Sequence, residues 1–287
     1  MPKGGALPRL PKRKPDTNKG DYGRVLIVAG STGMVGAAVL CSEGAYRSGA
    51  GLVYIAVPAS LVPIVSARQT CAVVRALPDT GGGLLAVAAR ERIAELAESC
   101  DVVAMGPGLG LDPQTVEVVR ETVTSVNKPL VLDADALNAF AEHPDLLARG
   151  AAPRVLTPHP GELARLIGRT APEIQRERES VAKESATRFL GVLVLKGHRT
   201  VVTDGGRVYV NRTGNPGMAT GGSGDVLAGM IAALVGQGLS PFDAARLAVY
   251  LHGMAGDIAA REVGPISLMA TDLLTALPAA FRKHHGS

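Results

Sequence analysis

The 287-residue sequence contains no tryptophan, and aromatic residues make up only 3% of it. Proteins that bind single-stranded nucleic acids stack the bases on aromatic side chains, so a surface of that kind is not expected here. The formal net charge of +4 does not change this conclusion, because part of it comes from the Lys/Arg-rich first 19 residues. We therefore predict no nucleic-acid partner.

Cysteine is also scarce. Cys41, Cys71 and Cys100 are odd in number and dispersed, which argues against a disulfide framework or a zinc site and is typical of a reducing compartment. No apolar run is long enough to span a membrane, and the first residues are Pro, Lys and Arg in place of the apolar core of a signal peptide. We therefore expect a soluble cytoplasmic protein with no membrane partner.

Two common nucleotide-binding motifs are missing as well. The sequence has no G-x-x-x-x-G-K-[ST] loop, and residues 30–36 follow G-x-x-G-x-x-G instead of the dinucleotide fingerprint G-x-G-x-x-G. The next predicted strand, residues 52–57, does not end in an acidic residue. A dinucleotide-dependent oxidoreductase is therefore disfavoured.

What the sequence does have is a core-forming composition, with 46% hydrophobic and 20% charged residues. Short apolar runs typical of buried strands alternate with helical segments, which predicts an α/β fold with a mainly parallel sheet and helices on both faces. A D-G turn at Asp204-Gly205 predicts a hairpin over residues 200–210, and residues 84–97 are predicted as a helix. We expect a basic, Pro-rich lead-in over residues 1–19 and a single domain over residues 20–287.

Polar or glycine-rich segments follow several predicted strands, where ligands bind in open α/β sheets. They are residues 106–110, Asp133 to Asn138, Thr157 to Glu162 and Lys196 to Thr200. His159 lies between two prolines, which we interpret as favouring a functional role over helix capping. Lys196 and Arg199 could hold a nucleotide phosphate, although a solvated turn explains them equally well.

The most informative stretch is residues 215–225, which leads into an apolar helical segment. Its glycines allow backbone N–H groups at a helix start to surround an anion, so Gly221, Gly222, Ser223 and Gly224 are predicted to form an anion cradle. Asp225 is the one carboxylate inside it and is a candidate general base, although an Asp in a first helical turn is also a good capping residue. The later helix contains His252 and Asp257, which we interpret as structural.

These motifs together resemble a known family. The chain contains Lys19-Gly-Asp-Tyr-Gly23, Met105-Gly-Pro-Gly108, Leu132-Asp-Ala-Asp-Ala-Leu-Asn138, Leu156-Thr-Pro-His-Pro-Gly-Glu162, Leu195-Lys-Gly-His-Arg-Thr200 and Asn215-Pro-Gly-Met-Ala-Thr-Gly-Gly-Ser-Gly-Asp225. This set resembles the ribokinase-like superfamily, and within it the ADP-dependent NAD(P)H-hydrate dehydratases. The family often has His where this chain has Asn18, so a contact at that position is not carried over.

The resemblance implies a ribokinase-like three-layer fold, Mg²⁺ as cofactor and ADP as co-substrate. It implies contacts to adenine nucleotide from Lys196, Gly197, His198, Arg199, Thr200 and Gly224, and contacts to NADHX or NADPHX from Ala38, Gly108, His159 and Asp225. The implied reaction is phosphorylation of the hydrated nicotinamide by ADP, followed by loss of phosphate. A homotetramer is implied too, with any NAD(P)HX epimerase a separate protein.

Two alternatives remain open at this point. A kinase of the same superfamily, acting on a sugar or a vitamin precursor, would release a stable phosphorylated alcohol. A non-catalytic regulator would use the cradle only to sense adenylates, but a sensor has no need of a base such as Asp225 beside the phosphate.

Overall fold

The structure, a computed structural model, describes residues 6–286. Over these residues the chain forms one nine-stranded sheet in the order β3-β2-β1-β4-β5-β6-β7-β8-β9. The strands are β1 (Arg24–Val28), β2 (Leu52–Pro58), β3 (Val73–Leu77), β4 (Val102–Met105), β5 (Leu130–Leu132), β6 (Arg154–Leu156), β7 (Val192–Leu195), β8 (Val201–Thr203) and β9 (Val208–Val210). Neighbours from β3 to β7 are parallel, whereas β7, β8 and β9 pair antiparallel.

Helices connect the parallel strands and follow the last strand. They are α1 (Val35–Arg47), α2 (Val62–Arg68), α3 (Ala89–Glu98), α4 (Pro113–Ser125), α5 (Asp135–Asn138), α6 (Pro160–Ile167), α7 (Ala171–Arg176), α8 (Arg178–Arg188), α9 (Ser223–Gly236), α10 (Pro241–Ser267) and α11 (Ala270–His285). α10 is kinked where Gly264 leaves the helical conformation with φ 78°, immediately before Pro265. Proline cannot donate to the helix, so a kink is expected there.

The sheet lies between two hydrophobic cores. Successive side chains of a strand point to opposite faces. Val25 and Ile27 therefore belong to the core shared with α1, α9, α10 and α11, and Leu26 and Val28 to the core shared with α3, α4, α6 and α8. Burying an apolar side chain of this size contributes about 1.5–3 kcal/mol. The predicted parallel sheet with helices on both faces is therefore confirmed.

Most predicted elements are present, and one begins elsewhere. The hairpin predicted around Asp204-Gly205 is the β8–β9 pair. The helix predicted from Leu84 begins only at Ala89, because Leu84 and Leu85 are occupied by a turn. In that turn the Thr80 N–H donates to the Leu84 carbonyl at 3.0 Å, and Asp79 bridges Leu85.

The lead-in contains no helix or strand over residues 6–18, and its first five residues lie outside those described. It nevertheless contacts the domain, since the Arg13 guanidinium donates to the Gly49 carbonyl at 2.8 Å. Asn18 caps the short 3₁₀ helix Lys19–Tyr22, its side-chain oxygen accepting from the Gly20 N–H. Asn18 therefore has a local structural role.

Among residues 6–286, no helix combines the length and the apolar character needed to cross a membrane.

Candidate active site

The carboxyl ends of β1, β4, β5, β6 and β7 meet at one edge of the sheet, and the loops that leave them form the floor of a cleft. Two of these loops are joined directly, because the Gly30 N–H donates to the Pro107 carbonyl at 2.8 Å. The first turn of α9 reaches the same edge, where a Cβ on Gly224 would lie 3.7 Å from Asp133 Oδ2. The structure thus brings together segments that the sequence analysis had treated separately.

The glycine-rich stretch begins α9 as predicted. Gly222 is the N-cap with φ 91°, a conformation that strongly favours glycine, and a Cβ there would lie 2.5 Å from the Leu40 side chain. The first N–H groups of a helix have no partner within it, and they carry the positive end of the helix dipole. The Ser223 hydroxyl is also buried and has no hydrogen-bond partner among the described residues. The start of α9 therefore offers both N–H and O–H donors to an anion.

Two residues of α10 support this stretch. Asp257 accepts from the Gly214 N–H at 3.0 Å and from the Asn215 side chain at 3.2 Å. His252 is buried, and its Nε2 lies 3.0 Å from the Ser223 carbonyl. Burial lowers the pKa of His252 to about 4, so the imidazole is neutral at pH 7. These contacts agree with the prediction that Asp257 and His252 are structural residues. They hold the glycine-rich stretch and the start of α9 in position.

Asp225 lies in the first turn of α9 and is only partly buried. Burial, followed by the charge of Asp133, raises the pKa of Asp225 to about 7, and Lys196 opposes this shift. Within residues 6–286 the carboxylate has no hydrogen bond or ion pair of its own. A carboxylate with such a pKa and no partner is well suited to accept a proton from a ligand at neutral pH.

Lys196, one of the two residues that could hold a nucleotide phosphate, is paired with acidic side chains in the structure. Its Nζ lies 2.6 Å from Asp133 Oδ1 and 3.7 Å from Glu162 Oε2. Burial works to lower the pKa of Lys196, but the neighbouring charges of Asp133, Glu162 and Asp225 raise it above the usual value. The ammonium is therefore a charged member of a buried network.

His159 caps a helix, so the interpretation that its flanking prolines disfavour capping was wrong. Its Nδ1 accepts from the N–H groups of Gly161 and Glu162, at 3.0 and 3.2 Å, and Pro160 occupies the first turn of α6. Proline is favoured there because it has no N–H to leave unpaired and its φ is already helical. The imidazole is 51% exposed on its side chain, so it remains accessible to a ligand while capping α6.

The two other predicted substrate contacts differ in their surroundings. Gly108 has φ 64°, and a Cβ there would lie 2.9 Å from Met34, so the loop can pass the start of α1 only with glycine. Ala38 has no exposed surface and belongs to the hydrophobic core. Its prediction as a substrate contact is therefore not supported, because its methyl group is enclosed by the core and does not line the cleft.

The turn from Gly197 to Thr200 leaves β7 at the same edge. Gly197, His198 and Arg199 are exposed, and Arg199 adopts φ 56°, which is unusual for a residue with a side chain. His198 and Arg199 line a cavity of about 540 Å³ together with Arg176, Arg178 and neighbouring residues. Asp225 is not among the residues that line it.

Sequence analysis gave no individual role to three residues of the network. Asp133 and Glu162 are 2% and 5% exposed, and the Thr157 hydroxyl lies 2.7 Å from Asp133 Oδ1. The available signal was that each follows the end of a strand, where polar residues are brought to one edge. The pairing of Asp133 and Glu162 with Lys196, however, joins positions far apart in the chain.

No group of three or more His, Cys, Asp or Glu side chains capable of holding a metal occurs in the described residues. Mg²⁺ commonly keeps several waters and binds through substrate phosphates with only one or two carboxylates. The site therefore fits a metal that arrives with a nucleotide and does not fit a metal caged by protein alone.

Comparison with known proteins identifies the family of the chain. The sequence model of the NAD(P)H-hydrate dehydratase family matches residues 25–279. The chain is 50% identical over 275 residues to the bifunctional NAD(P)H-hydrate repair enzyme of Moorella thermoacetica, covering 96% of this chain and 52% of that protein. The chain thus spans about half the length of the curated relatives it matches.

Solved structures cover nearly the whole chain. The ADP/ATP-dependent NAD(P)H-hydrate dehydratase of Bacillus subtilis, co-crystallised with ATP and Mg²⁺, has a TM-score of 0.82 and 34% identity, covering 96% of this chain and 95% of that one. A ribokinase-like superfamily protein of Enterococcus faecalis has a TM-score of 0.82 and 28% identity, with coverage of 97% and 93%. The predicted ribokinase-like fold is confirmed, and the chain belongs to the NAD(P)H-hydrate dehydratase family.

Proposed function

We propose that the chain catalyses the ADP-dependent dehydration of NADHX and NADPHX to NADH and NADPH, with AMP and phosphate as co-products. The observation that carries the proposal is the position of Asp225, an unpaired carboxylate with a pKa of about 7 in the first turn of α9. There a candidate base lies beside the N–H groups at the start of α9, which can receive an incoming anion. The near full-length similarity to a dehydratase supports the choice of reaction.

In the proposed first step Asp225 accepts the proton of the C6 hydroxyl as its oxygen bonds to the β-phosphorus of ADP, and AMP leaves. Phosphate then leaves from C6 with loss of the neighbouring ring proton, which restores the ring double bond. The two steps together convert NADHX and ADP into NADH, AMP and phosphate. Phosphorylation is needed because hydroxide is a poor leaving group, whereas phosphate is a good one.

The N–H groups at the start of α9 stabilise the charge that develops on the transferred phosphoryl group, as donors preorganised in an oxyanion hole do. Gly221, Gly222, Ser223 and Gly224 are the residues proposed for this role. Mg²⁺, bound through the nucleotide, supplies further positive charge when present.

The proposed ligands lie on opposite sides of the cradle. Adenine nucleotide contacts the turn from Lys196 to Thr200 and Gly224, where His198 and Arg199 line the cavity of about 540 Å³. The hydrated nicotinamide contacts Gly108, the exposed His159 ring and Asp225. ADP is proposed as the donor, in keeping with the ADP/ATP-dependent relative.

The decisive experiment incubates the purified protein with NADHX, Mg²⁺ and either ADP or ATP, and follows NADH absorbance together with the nucleotide products. We expect NADH, AMP and phosphate to form in equal amounts with ADP. A stable phosphorylated alcohol without NADH would indicate a kinase. Tight ADP binding without turnover would indicate a regulator.

We further propose that the protein is a cytoplasmic homotetramer. The free cysteines Cys41, Cys71 and Cys100 are in keeping with a reducing compartment. Apolar side chains exposed near the end of α10, including Ile266 at 98% and Met269 at 57%, are in keeping with subunit contacts. Light scattering on the purified protein tests the tetramer, and a monomeric mass would contradict it.

A further inference from the structure

We propose that Asp133 is a positioning residue of this site, which holds the Lys196 ammonium beneath the first turn of α9 as the counter-charge of Asp225. The proposal rests on the proposed function in one respect, namely that Asp225 is the catalytic base. It assigns to Lys196 a role in setting the charge of the base, in addition to any contact with nucleotide.

The first support is the geometry of the pair. Asp133 Oδ1 lies 2.6 Å from Lys196 Nζ and 2.7 Å from the Thr157 hydroxyl. Asp133 is only 2% exposed, so water does not compete effectively for its charge. A short, buried, charge-assisted hydrogen bond of this kind fixes the ammonium in one position.

The second support is the direction in which the pair faces. A Cβ on Gly224 would lie 3.4 Å from Lys196 Nζ and 3.7 Å from Asp133 Oδ2. The ammonium and the second carboxylate oxygen are therefore packed against the residue that immediately precedes Asp225. A side chain at position 224 would contact both the Lys196 ammonium and the Asp133 carboxylate.

The third support is the backbone that presents Asp133. Ala134 adopts φ 48° and ψ −116°, a sparsely populated conformation that costs a residue with a side chain about 1–3 kcal/mol. The loop after β4 approaches this backbone closely, since a Cβ on Gly106 would lie 1.8 Å from the Asp133 carbonyl oxygen. Such strain persists where the surroundings hold the residue firmly, as they do here for Asp133.

The charges around Asp225 determine the effect of each substitution. Titratable groups approach Asp225 or the adjoining first turn of α9 from five sides, namely Asp133 and Asp135 after β5, Glu162 in α6, Lys196 after β7, Cys41 in α1 and His252 in α10. Asp133 disfavours ionisation of Asp225, whereas Lys196 favours it. Removing the first charge should therefore lower the pH at which Asp225 ionises, and removing the second should raise it.

The test measures the ionisation of Asp225 directly, by infrared difference spectroscopy of the protonated carboxyl C=O stretch between pH 5 and pH 9. The signal of Asp225 is the one that Asp225→Asn removes. We expect Lys196→Met to raise the midpoint by about 1 pH unit in the wild-type background but by less than about 0.5 pH unit in an Asp133→Asn background, where the charge-assisted hydrogen bond that holds the ammonium is lost. A Lys196→Met shift below about 0.2 pH unit in the wild-type background, or a shift of equal size in both backgrounds, would overturn the proposal.

Two further variants complete the design. Asp145→Asn is the matched control, because it removes a carboxylate paired with Arg188 at 2.8 Å on the surface, and its midpoint should equal that of wild type. If Asp133→Asn does not fold, the comparison of Lys196→Met with Lys196→Arg still decides. The arginine variant keeps the cation and should stay close to the wild-type midpoint, and a rise equal to that of methionine would contradict the proposal.

The infrared measurement needs no turnover, so the two proposals fail separately. A protein with no dehydratase activity, but with a Lys196→Met shift that depends on Asp133, would contradict the proposed function and retain the positioning role. An active dehydratase whose infrared midpoints do not move would support the proposed function and contradict the positioning role. In an active enzyme, the acid limb of kcat/KM should follow the infrared midpoints.

Discussion

The His252 imidazole lies 3.0 Å, Nε2 to oxygen, from the backbone carbonyl of Ser223, so that α10 supports the first residue of α9. The ring is neutral at pH 7, and because a carbonyl oxygen can only accept, a hydrogen bond here requires the tautomer with the proton on Nε2. The position of the anion cradle therefore depends on a residue that contacts no proposed ligand.

Replacing His252 by Leu should weaken both the fold and the nucleotide site. The lost hydrogen bond should lower the free energy of unfolding by about 1 kcal/mol. The first turn of α9 should also become less well fixed, which raises the Kd for ADP. Urea denaturation and ADP titration measure the two effects, with the exposed His143→Gln as control. An unchanged Kd in a destabilised variant would limit His252 to a folding role.

Asp225→Asn should bind ADP nearly as well as wild type but turn over roughly 10²-fold more slowly or worse, the usual scale for loss of a general base. The amide is the same size as the carboxylate, and it cannot accept the hydroxyl proton. Single-turnover kinetics with NADHX and ADP give the rate. A variant that keeps a near wild-type rate would remove Asp225 from the mechanism.

The raised pKa of Asp225, about 7, predicts the pH dependence of the reaction. The carboxyl group must be ionised to act as a base, so kcat/KM should fall about tenfold for each pH unit below the pKa and level off above it. Initial rates at subsaturating NADHX between pH 5 and pH 9 test this. A midpoint near pH 4 would mean that the environment of Asp225 is far more polar than described.

The same pKa makes a prediction about stability. The folded pKa lies above the usual carboxyl value of 3.8, so between about pH 4 and pH 7 the folded protein holds a proton that the unfolded chain has lost. Stability from this group is therefore present at low pH and is lost as the pH rises through 7. Asp225→Asn avoids the buried charge, so its Tm should exceed that of wild type by about 2–4 °C at pH 8 and by little at pH 4. Calorimetry at both pH values is the measurement, and a lower Tm at pH 8 would contradict the assigned pKa.

Two glycines of α9 should respond differently to alanine. A Cβ on Gly229 would lie 1.9 Å from the Cys41 carbonyl oxygen, whereas a Cβ on Gly224 would lie 3.4 Å from its nearest neighbour, Lys196 Nζ. Gly229→Ala should therefore cost several kcal/mol of stability by forcing α1 and α9 apart. Gly224→Ala should fold normally and bind ADP more weakly. Equal stability losses in the two variants would show that a side chain at position 224 is as crowded as one at position 229.

Much of the fold could be predicted from the sequence, because each step depends on local pattern. The apolar run in β1, the D-G turn before Arg207 and the glycines before Asp225 each specify a strand, a hairpin or a helix start from a few adjacent residues. The helix predicted from Leu84 begins later than expected, because its start does not depend on local pattern alone. The turn that delays it depends on Asp79 and Thr80, whose contacts the periodicity of the helix does not encode.

The site was less predictable, because its charges are paired across distant segments. Nothing near Lys196 in the sequence indicates that Asp133, 63 positions away, accepts its hydrogen bond. The capping role of His159 was predictable in principle, since proline is favoured directly after a cap. The burial of Ala38 was not, because it depends on how closely the glycines of α9 let α1 approach.

That close approach of α1 and α9 has a mechanical consequence. Backbone meets backbone between the helices, as a Cβ on Gly44 would lie 2.4 Å from the Val226 carbonyl oxygen. α1 begins beside Gly108, and α9 begins at the anion cradle, so these two walls of the cleft form one stiff unit that shifts as a whole. We expect any adjustment around a ligand to involve the turn from Gly197 to Thr200, whose first three residues are exposed, more than these two packed helices.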